Sequence, residues 1–207
     1  MTGKVFVDLA ISLDGYIAGP NAGISNPLGD NGPRLHQWKY GVAAFRALLG
    51  LPGGSTGADN DLVREVTDRA GAFILGRRMF DEGEVSWPDP SPFAGPVFVL
   101  TNTPREPWVR RDNTFYFVTD GARSALDQAR AAAGEKDVQI SGGAGTVCQY
   151  LNAGLVDELQ LHIAPVLLGA GTRLFDGCEP GLRVLSQTRV SESSKGTVHV
   201  RYALARS

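Results

Sequence analysis

Apolar runs rich in β-branched residues alternate along this chain with segments of helical pattern, and this alternation constrains the fold more than any other feature. The runs predict strands at 4–11, 72–76, 96–102, 114–119, 137–141, 158–168 and 197–205. Helical patterns occupy 58–71, 121–134 and 144–154, and the last two end at glycines typical of helix C-termini. Strand, helix and strand in this order favour an α/β fold with a mostly parallel central sheet and flanking helices.

Two parts of the chain depart from this alternation. From residue 158 onward strands follow one another without an evident helix, and 186–205 predicts a hairpin or meander, so we expect antiparallel C-terminal edge strands on the parallel sheet. The segment 19–57 is rich in Gly, Pro and Asn and predicts a long loop or lid insertion, with a short helix within 37–50. We expect residues 1–207 to form a single domain.

Composition excludes several classes of partner. The 20 Lys and Arg against 22 Asp and Glu leave a net charge of −2, so no global basic field draws the protein to nucleic acid or to a membrane surface. No run approaches the length of a membrane span, and the N-terminus lacks the pattern of a signal peptide. Cys148 and Cys178 have neither CxxC nor Cys/His spacing, so we predict neither a disulfide framework nor a metal site, and we expect a cytoplasmic protein.

Glycines follow one of the predicted strands and open a helix. Strand 137–141 runs into Gly142, Gly143 and Gly145, where the free backbone N–H groups and the positive end of the helix dipole would suit a pyrophosphate. Close packing of strand against helix explains the same glycines about as well.

Two further strands end in turns of comparable chemistry. Gly76, Arg77 and Arg78 follow strand 72–75, and paired guanidinium groups suit phosphate, although ion pairs to Asp81 or Glu82 would also explain them. The range 101–103 reads Thr-Asn-Thr and suits a 2′-phosphate pocket or an ordinary turn. Because the carboxyl ends of parallel strands share one edge of a sheet, where ligands bind, we expect all three turns to converge.

The first strand and the long loop contribute further candidates. Asp14 and Gly15 form a turn at the carboxyl end of strand 4–11, and a mobile loop there could close over a ligand. His36, Trp38 and Tyr40 alternate in a way that could present an aromatic wall, or could simply pack.

Six stretches, in order and covering most of the chain, carry a family resemblance: "SLDGYIAGP", "NPLGDNGPRLHQW", "LGRRMFDEGEVSWPD", "PVFVLTNTPRE", the run 138–177 from "VQISGGAG" to "RLFDG", and "VHVRYALAR". Together they resemble the dihydrofolate reductase-like superfamily, in the branch of the reductase domain of the bifunctional riboflavin-pathway deaminase/reductase. The resemblance implies a dihydrofolate reductase-like sheet, NADPH as cofactor, a small-molecule substrate and a homodimer.

By position, the resemblance also assigns residues to the cofactor. Ala10 and Ile17 match backbone contacts to the nicotinamide carboxamide; Gly76, Arg77 and Arg78 match the first phosphate-binding turn; Thr101, Asn102 and Thr103 match the adenosine phosphate pocket; and Gly142, Gly143, Ala144, Gly145, Thr146 and Val147 match the pyrophosphate helix.

The substrate side departs from the family pattern. The position of the catalytic acid in dihydrofolate reductases falls on Asn60, beside Asp61, and the lysine and glutamate of the riboflavin-pathway reductases are replaced by Tyr16 and Ser141. We take Asp61 as the candidate catalytic acid, with Asn60 beside it, although an acid that begins a helix explains Asp61 equally well.

The residues that we expect to bind the substrate also include Asp14, Trp38 and Ser141. The sequence thus predicts an NADPH-dependent reductase of a small heteroaromatic or conjugated compound. The alternative is a module that binds NADP(H) without turnover.

Overall fold

A computed structural model describes residues 3–181, 183–193 and 195–205. The strands are β1 (Val5–Ser12), β2 (Tyr16–Ala18), β3 (Ala70–Gly76), β4 (Val97–Leu100), β5 (Trp108–Val109), β6 (Thr114–Val118), β7 (Asp137–Gly142), β8 (Glu158–Ala164), β9 (Thr172–Arg173), β10 (Leu185–Glu192) and β11 (Val198–Leu204). The helices are α1 (Gln37–Tyr40), α2 (Ala43–Leu48), α3 (Ala58–Arg69), α4 (Arg77–Glu84), α5 (Ala122–Ala133) and α6 (Ala144–Asn152), with a 3-10 helix at Gly32–His36.

Nine strands form one sheet in the order β10-β11-β8-β1-β7-β3-β4-β6-β5. The six strands from β8 to β6 in this order are mutually parallel, whereas β11, β10 and β5 are antiparallel to their neighbours. This arrangement confirms the predicted α/β class and the antiparallel C-terminal edge. The predicted hairpin is β10 and β11, and Ser194 in its connection lies outside the described residues.

Both faces of the sheet are covered by apolar packing. On one face α5 and α6 pack on the strands through residues such as Leu126, Val147 and Tyr150. On the other face Phe80 of α4 packs among Phe73 and Phe115 of the sheet. The carboxyl ends of the central strands therefore form an open edge between two helical layers, which is where a parallel sheet places ligands.

The long segment 19–57 folds over this edge. It contains the 3-10 helix, α1 and α2, so the short helix expected within 37–50 is present as two pieces. Trp38 and Val42 pack against Leu62 and Val63 of α3, which anchors the segment to the body of the protein.

A disulfide bond joins Cys148 on α6 to Cys178, so the prediction of no disulfide framework is wrong. Thirty positions separate them, and a spacing of this kind carries no motif; the chain after β9 returns to α6 and brings their Cα atoms to 4.7 Å. The cysteines therefore no longer support the expectation of a cytoplasmic protein. Within the described ranges, no helix is long and apolar enough to cross a membrane.

Candidate active site

A cavity of about 1220 Å³ lies at the carboxyl edge of the central strands. The ends of β7, β3 and β4, which are neighbours in the sheet, bring Gly142, Gly76 and Thr101 to its wall. The three turns singled out in the sequence therefore converge on one cavity, as a parallel sheet requires.

The N-terminus of α6 is shaped to receive an anion. Gly143 is its N-cap and makes no side-chain capping hydrogen bond, so the first N–H groups of the helix have no acceptor from a capping side chain. A Cβ atom on Gly143 or Gly145 would meet open space, and both glycines line the cavity. Gly142 has a φ of 121°, which favours glycine, and the Gly142–Gly143 peptide bond is cis.

The turn after β3 brings two arginines to the cavity. Arg77 and Arg78 open α4 and line the cavity, but each donates from Nε to the carboxylate four residues later, Asp81 at 2.7 Å and Glu82 at 2.9 Å. The ion pairs considered as the alternative are thus present. An NH₂ group of Arg78 also donates to the carbonyl of Ala22 at 3.2 Å, so the remaining N–H groups of the two guanidinium groups are the donors that suit a phosphate.

The turn after β4 contains a hydrogen bond between two of its own residues. Thr103 donates its backbone N–H to Oγ1 of Thr101 at 3.1 Å, which is ordinary turn chemistry. Thr101, Asn102 and Thr103 nevertheless all line the cavity, and Asn102 and Thr103 are exposed.

Other predicted residues also reach the cavity wall. Ala10, Ile17, Trp38 and Ser141 line it, as do Ala144 and Thr146. Oγ of Ser141 is buried without a hydrogen-bond partner, and so is Nε1 of Trp38. Buried polar atoms of this kind are normally paired, so both indicate that this wall receives a polar ligand.

Four predicted site residues are not brought to the cavity. Asp14 accepts hydrogen bonds from Ser12 Oγ at 2.6 Å and from the N–H groups of Leu168 and Gly169, and these bonds hold the turn after β1 against the chain after β8. Val147 is fully buried in the core, and its N–H donates to the carbonyl of Gly143 at 3.1 Å. Neither side chain is among those that line the cavity.

Asn60 and Asp61 are the other two predicted site residues that do not line the cavity. Asn60 lies on the buried side of α3 and accepts from the N–H of Ala44 at 2.9 Å, which ties α3 to α2. Asp61 is on the exposed side of the first turn of α3. The helix turns these side chains away from the cavity, so Asp61 has the position of a helix-initiating acid.

A polar group that the sequence did not indicate also lines the cavity. Asp8, Lys39 and His162 line the cavity, and Nε2 of His162 lies 3.1 Å from Oδ2 of Asp8. Burial alone would raise the pKa of Asp8, but the charges of His162 and Lys39 outweigh it and lower the pKa. Burial lowers the pKa of Lys39, and Asp8 opposes this change. The sequence feature that could have indicated this group is Asp8 itself, a charged residue inside the apolar run "VFVDLAI".

No group of three or more His, Cys, Asp or Glu side chains that could hold a metal ion occurs in the part of the chain that the structure describes. A helix N-terminus, two arginines and the carboxylate–imidazole pair of Asp8 and His162 line the cavity.

The fold and the cavity together define a dihydrofolate reductase-like α/β domain. The model of the RibD C-terminal domain matches residues 3–199, and the chain belongs to this family. The uncharacterized protein YyaP of Bacillus subtilis is 26% identical over 96% of this chain and 94% of its own length.

Solved structures share the fold. A putative riboflavin biosynthesis protein from Shewanella has a TM-score of 0.69 at 24% identity, covering 98% of this chain and 99% of the other. Dihydrofolate reductase from Enterococcus faecalis, complexed with NADP(H), has a TM-score of 0.53 at 15% identity, covering 99% and 98%. These comparisons confirm the family and the fold that the sequence motifs predicted.

Proposed function

We propose that the protein is an NADPH-dependent reductase that transfers hydride to a small pyrimidine-, pterin- or flavin-like compound. The observation that carries the proposal is the convergence of three strand-end turns, at Gly142, Gly76 and Thr101, on a single cavity. Membership of the RibD C-terminal domain family and the fold shared with an NADP(H)-binding dihydrofolate reductase support it.

The residues present fit this cofactor. The open space beside Gly143 and Gly145, at a helix N-terminus without a side-chain cap, suits a pyrophosphate. Arg77, Arg78 and the turn 101–103 suit the adenosine phosphate, while Ala10 and Ile17 offer backbone groups to the carboxamide. When bound, NADPH supplies the hydride.

The chain's own contribution is to position a planar substrate and to exclude water from it. Trp38 is 4% exposed and lines the cavity together with the polar groups of Asp8, Lys39 and Ser141. A carboxylate, an ammonium group and a hydroxyl beside an aromatic wall suit a heteroaromatic ring with both N–H donors and carbonyl acceptors. Asn60 and Asp61 are outside the cavity, so we assign them no role in this reaction.

Alanine at Gly143 tests cofactor binding. Its φ of −76° suits any residue, and its Cβ would enter open space beside the cavity, so Gly143→Ala should fold normally and obstruct a pyrophosphate. We expect its affinity for NADPH, measured by protein fluorescence quenching, to fall about tenfold or more. Gly23→Ala is the matched control, because Gly23 also faces open space but does not line the cavity.

Hydride transfer is tested with a panel of pyrimidines, pterins and flavins, by the loss of absorbance near ~340 nm as NADPH is oxidised. Oxidation that depends on one of these compounds supports the reductase. Tight binding of NADPH without oxidation by any of them would favour the alternative, a module that binds NADP(H) without turnover. Equal affinities of the Gly143→Ala and Gly23→Ala variants would contradict the proposed site.

We also propose a homodimer formed through the β10 edge of the sheet. All eight residues of β10 are exposed or half-buried, and Val184, Leu185 and Val190 at this edge are 70%, 37% and 51% exposed. An exposed edge strand of this length, with apolar side chains among its polar ones, offers unpaired backbone groups to a partner. Sedimentation equilibrium should give twice the monomer mass for the native chain and the monomer mass for a Leu185→Lys/Val190→Lys variant; a native monomer would contradict the proposal.

A further inference from the structure

A row of hydrogen-bonded side chains runs from the cavity wall into the adjoining protein. Nε2 of His162 lies 3.1 Å from Oδ2 of Asp8, Nδ1 of His162 lies 2.8 Å from Nδ1 of His199, and Nε2 of His199 lies 3.4 Å from Oδ1 of Asp59. Asp8 and His162 line the cavity, whereas His199 and Asp59 lie behind them. We call these four side chains the proton array.

The sheet register assembles the array. β1, β8 and β11 are neighbours, and His162 is paired with Ala10 on one side and with His199 on the other. The two imidazoles therefore lie side by side on one face of the sheet. Asp59 reaches them from the first turn of α3 and also accepts from Oγ of Ser193 at 2.7 Å.

The geometry fixes the number of hydrogens. Each of the three hydrogen bonds needs one hydrogen, and ionised carboxylates can only accept. The ring nitrogens that face Asp8 and Asp59 therefore carry hydrogens, and the two Nδ1 atoms share a third. The array thus holds three hydrogens, which is one more than two neutral imidazoles and two carboxylates would hold.

The additional proton lies on the cavity side of the array. Burial lowers the pKa of His199, the charge of His162 lowers it further, and Asp59 opposes both. Asp8 stays ionised, because the charges around it outweigh the effect of burial on its pKa. The carboxylate of Asp8 is also the closer of the two, at 3.1 Å from Nε2 of His162 against 3.4 Å between Asp59 and Nε2 of His199, so we place the additional proton on His162.

The array is shielded from water. The side chains of His162 and His199 are each 4% exposed, and the indole of Trp38 lies with its centroid 4.6 Å from each imidazole. The indole ring therefore covers both imidazoles. The charged and titratable groups that face the pair are Asp8 on β1, His36 on the 3-10 helix, Lys39 on α1, Asp59 on α3 and Arg201 on β11.

We propose that the array stores one proton at the cavity wall and delivers it through Asp8 to a ring nitrogen of the substrate. The inference rests on the proposed function, since reduction of a C=N bond requires a proton as well as a hydride. The hydride adds to carbon and the π electron pair moves to nitrogen, while Nε2 of His162 gives its proton to the carboxylate of Asp8 and Asp8 passes it on to form the new N–H bond. His162 is then neutral and Asp8 is again a carboxylate, and solvent refills the array after product release.

Within this scheme Asp8 is the catalytic residue, and His199 and Asp59 are positioning residues. Both hydrogen bonds from Gln160 and His162 to Asp8 use Oδ2, so Oδ1 takes part in neither. Oδ2 therefore receives the proton from His162, and rotation of the carboxyl group turns that proton toward the substrate.

Nitrogen-detected NMR of ¹⁵N-histidine protein without cofactor or substrate counts the hydrogens directly. At pH 7 we expect signals of one imidazolium and one neutral Nε2–H imidazole for His162 and His199, assigned with His162→Gln and His199→Phe. In Asp59→Asn the additional proton should be lost at lower pH, because a negative charge that stabilises the cation is gone. Asp68→Asn, which removes an exposed carboxylate from the same helix, should leave the titration unchanged.

The kinetic measurement uses whichever pyrimidine, pterin or flavin of the panel oxidises NADPH. In Asp59→Asn we expect kcat at pH 7.5 to fall about tenfold or more, with its decline beginning at lower pH than in the native protein and KM unchanged. Asp68→Asn should reproduce the native profile. A loss of kcat that is equal at every pH would indicate a structural role for Asp59 and contradict the array.

The NMR result is independent of turnover, so it separates this inference from the proposed function. Two neutral imidazoles at pH 7, or a titration that Asp59→Asn does not shift, would overturn the array even in an active reductase. An imidazolium that shifts in Asp59→Asn supports the stored proton even if no compound of the panel is reduced.

Discussion

Gly76 at the end of β3 touches Thr146 in the first turn of α6: a Cβ atom on Gly76 would lie 2.4 Å from Oγ1 of Thr146. Two of the turns that line the cavity are thus in direct contact, and the absent side chain permits it. A contact shorter than 3.0 Å forces either the threonine or the backbone to move. The spacing between the two turns is therefore set at this contact.

Gly76→Ala should separate these turns. We expect a lower melting temperature and weaker NADPH binding, because the added methyl group displaces the start of α6. Differential scanning fluorimetry and fluorescence titration measure the two effects. The double variant Gly76→Ala/Thr146→Ala should recover both, since it removes the atom that the methyl group would meet; no recovery would place the strain elsewhere.

Ser141→Ala should stabilise the protein without ligand while weakening ligand binding. The buried hydroxyl of Ser141 has no hydrogen-bond partner, and removing an unpaired buried group gains about 1 kcal/mol. Chemical denaturation gives the free energy of unfolding, and fluorescence titration gives the affinity for NADPH and for compounds of the panel. A destabilised variant would show that the hydroxyl is already paired within the protein.

Asp14 should make the fold sensitive to acid. Its hydrogen bond from Ser12, together with those from Gly169 and Leu168, lowers its pKa from 3.8 to about 2, despite an opposing effect of burial. Because the folded-state pKa lies below the unfolded value, the stabilisation is complete above pH 3.8 and is lost as the pH falls through about 2.

The melting temperature measured between about pH 5 and pH 2 checks this. Asp14→Asn should melt at a lower temperature than the native protein at neutral pH, and this difference should shrink as the pH falls through the window. Asp112→Asn, which removes an exposed carboxylate outside the helices, should follow the native curve. A constant difference between native protein and Asp14→Asn would show that the carboxylate charge has no part in holding the turn.

Reduction of the disulfide bond should destabilise the protein. Cys148 and Cys178 are 30 positions apart, and closing a loop of this length in the unfolded chain is worth roughly 3 to 4 kcal/mol. We expect dithiothreitol to lower the denaturation midpoint of the native protein. The Cys148→Ala/Cys178→Ala variant should have a lower midpoint than the native protein, both with and without the reductant. If the reductant leaves the midpoint of the native protein unchanged, this expectation is contradicted.

The sequence determined the fold class because its local patterns of apolar residues and glycines are those that a parallel sheet requires. Runs such as "AFILG" and "PVFVL" are buried on both faces and read as parallel strands, and the glycines after residue 141 mark a strand-to-helix turn by backbone geometry alone. Since parallel strands end at the same edge, the convergence of the three turns also followed from the order of elements. The strand runs and the glycine turns depend on residues that are neighbours in sequence, so they can be predicted from the sequence.

Tertiary structure decided which polar side chains share the cavity. Asp59 and Asp61 are two positions apart on α3, and the rotation of the helix places Asp59 against His199 and Asp61 on the exposed side. Asp8 and His162 are 154 positions apart, and the register of β1, β8 and β11 brings them together with His199. Cys148 meets Cys178 through the path of a loop. The spacing of these residues along the chain does not predict their contacts. The contacts depend on the register of the strands and the rotation of the helices, and both are determined only when the core packs.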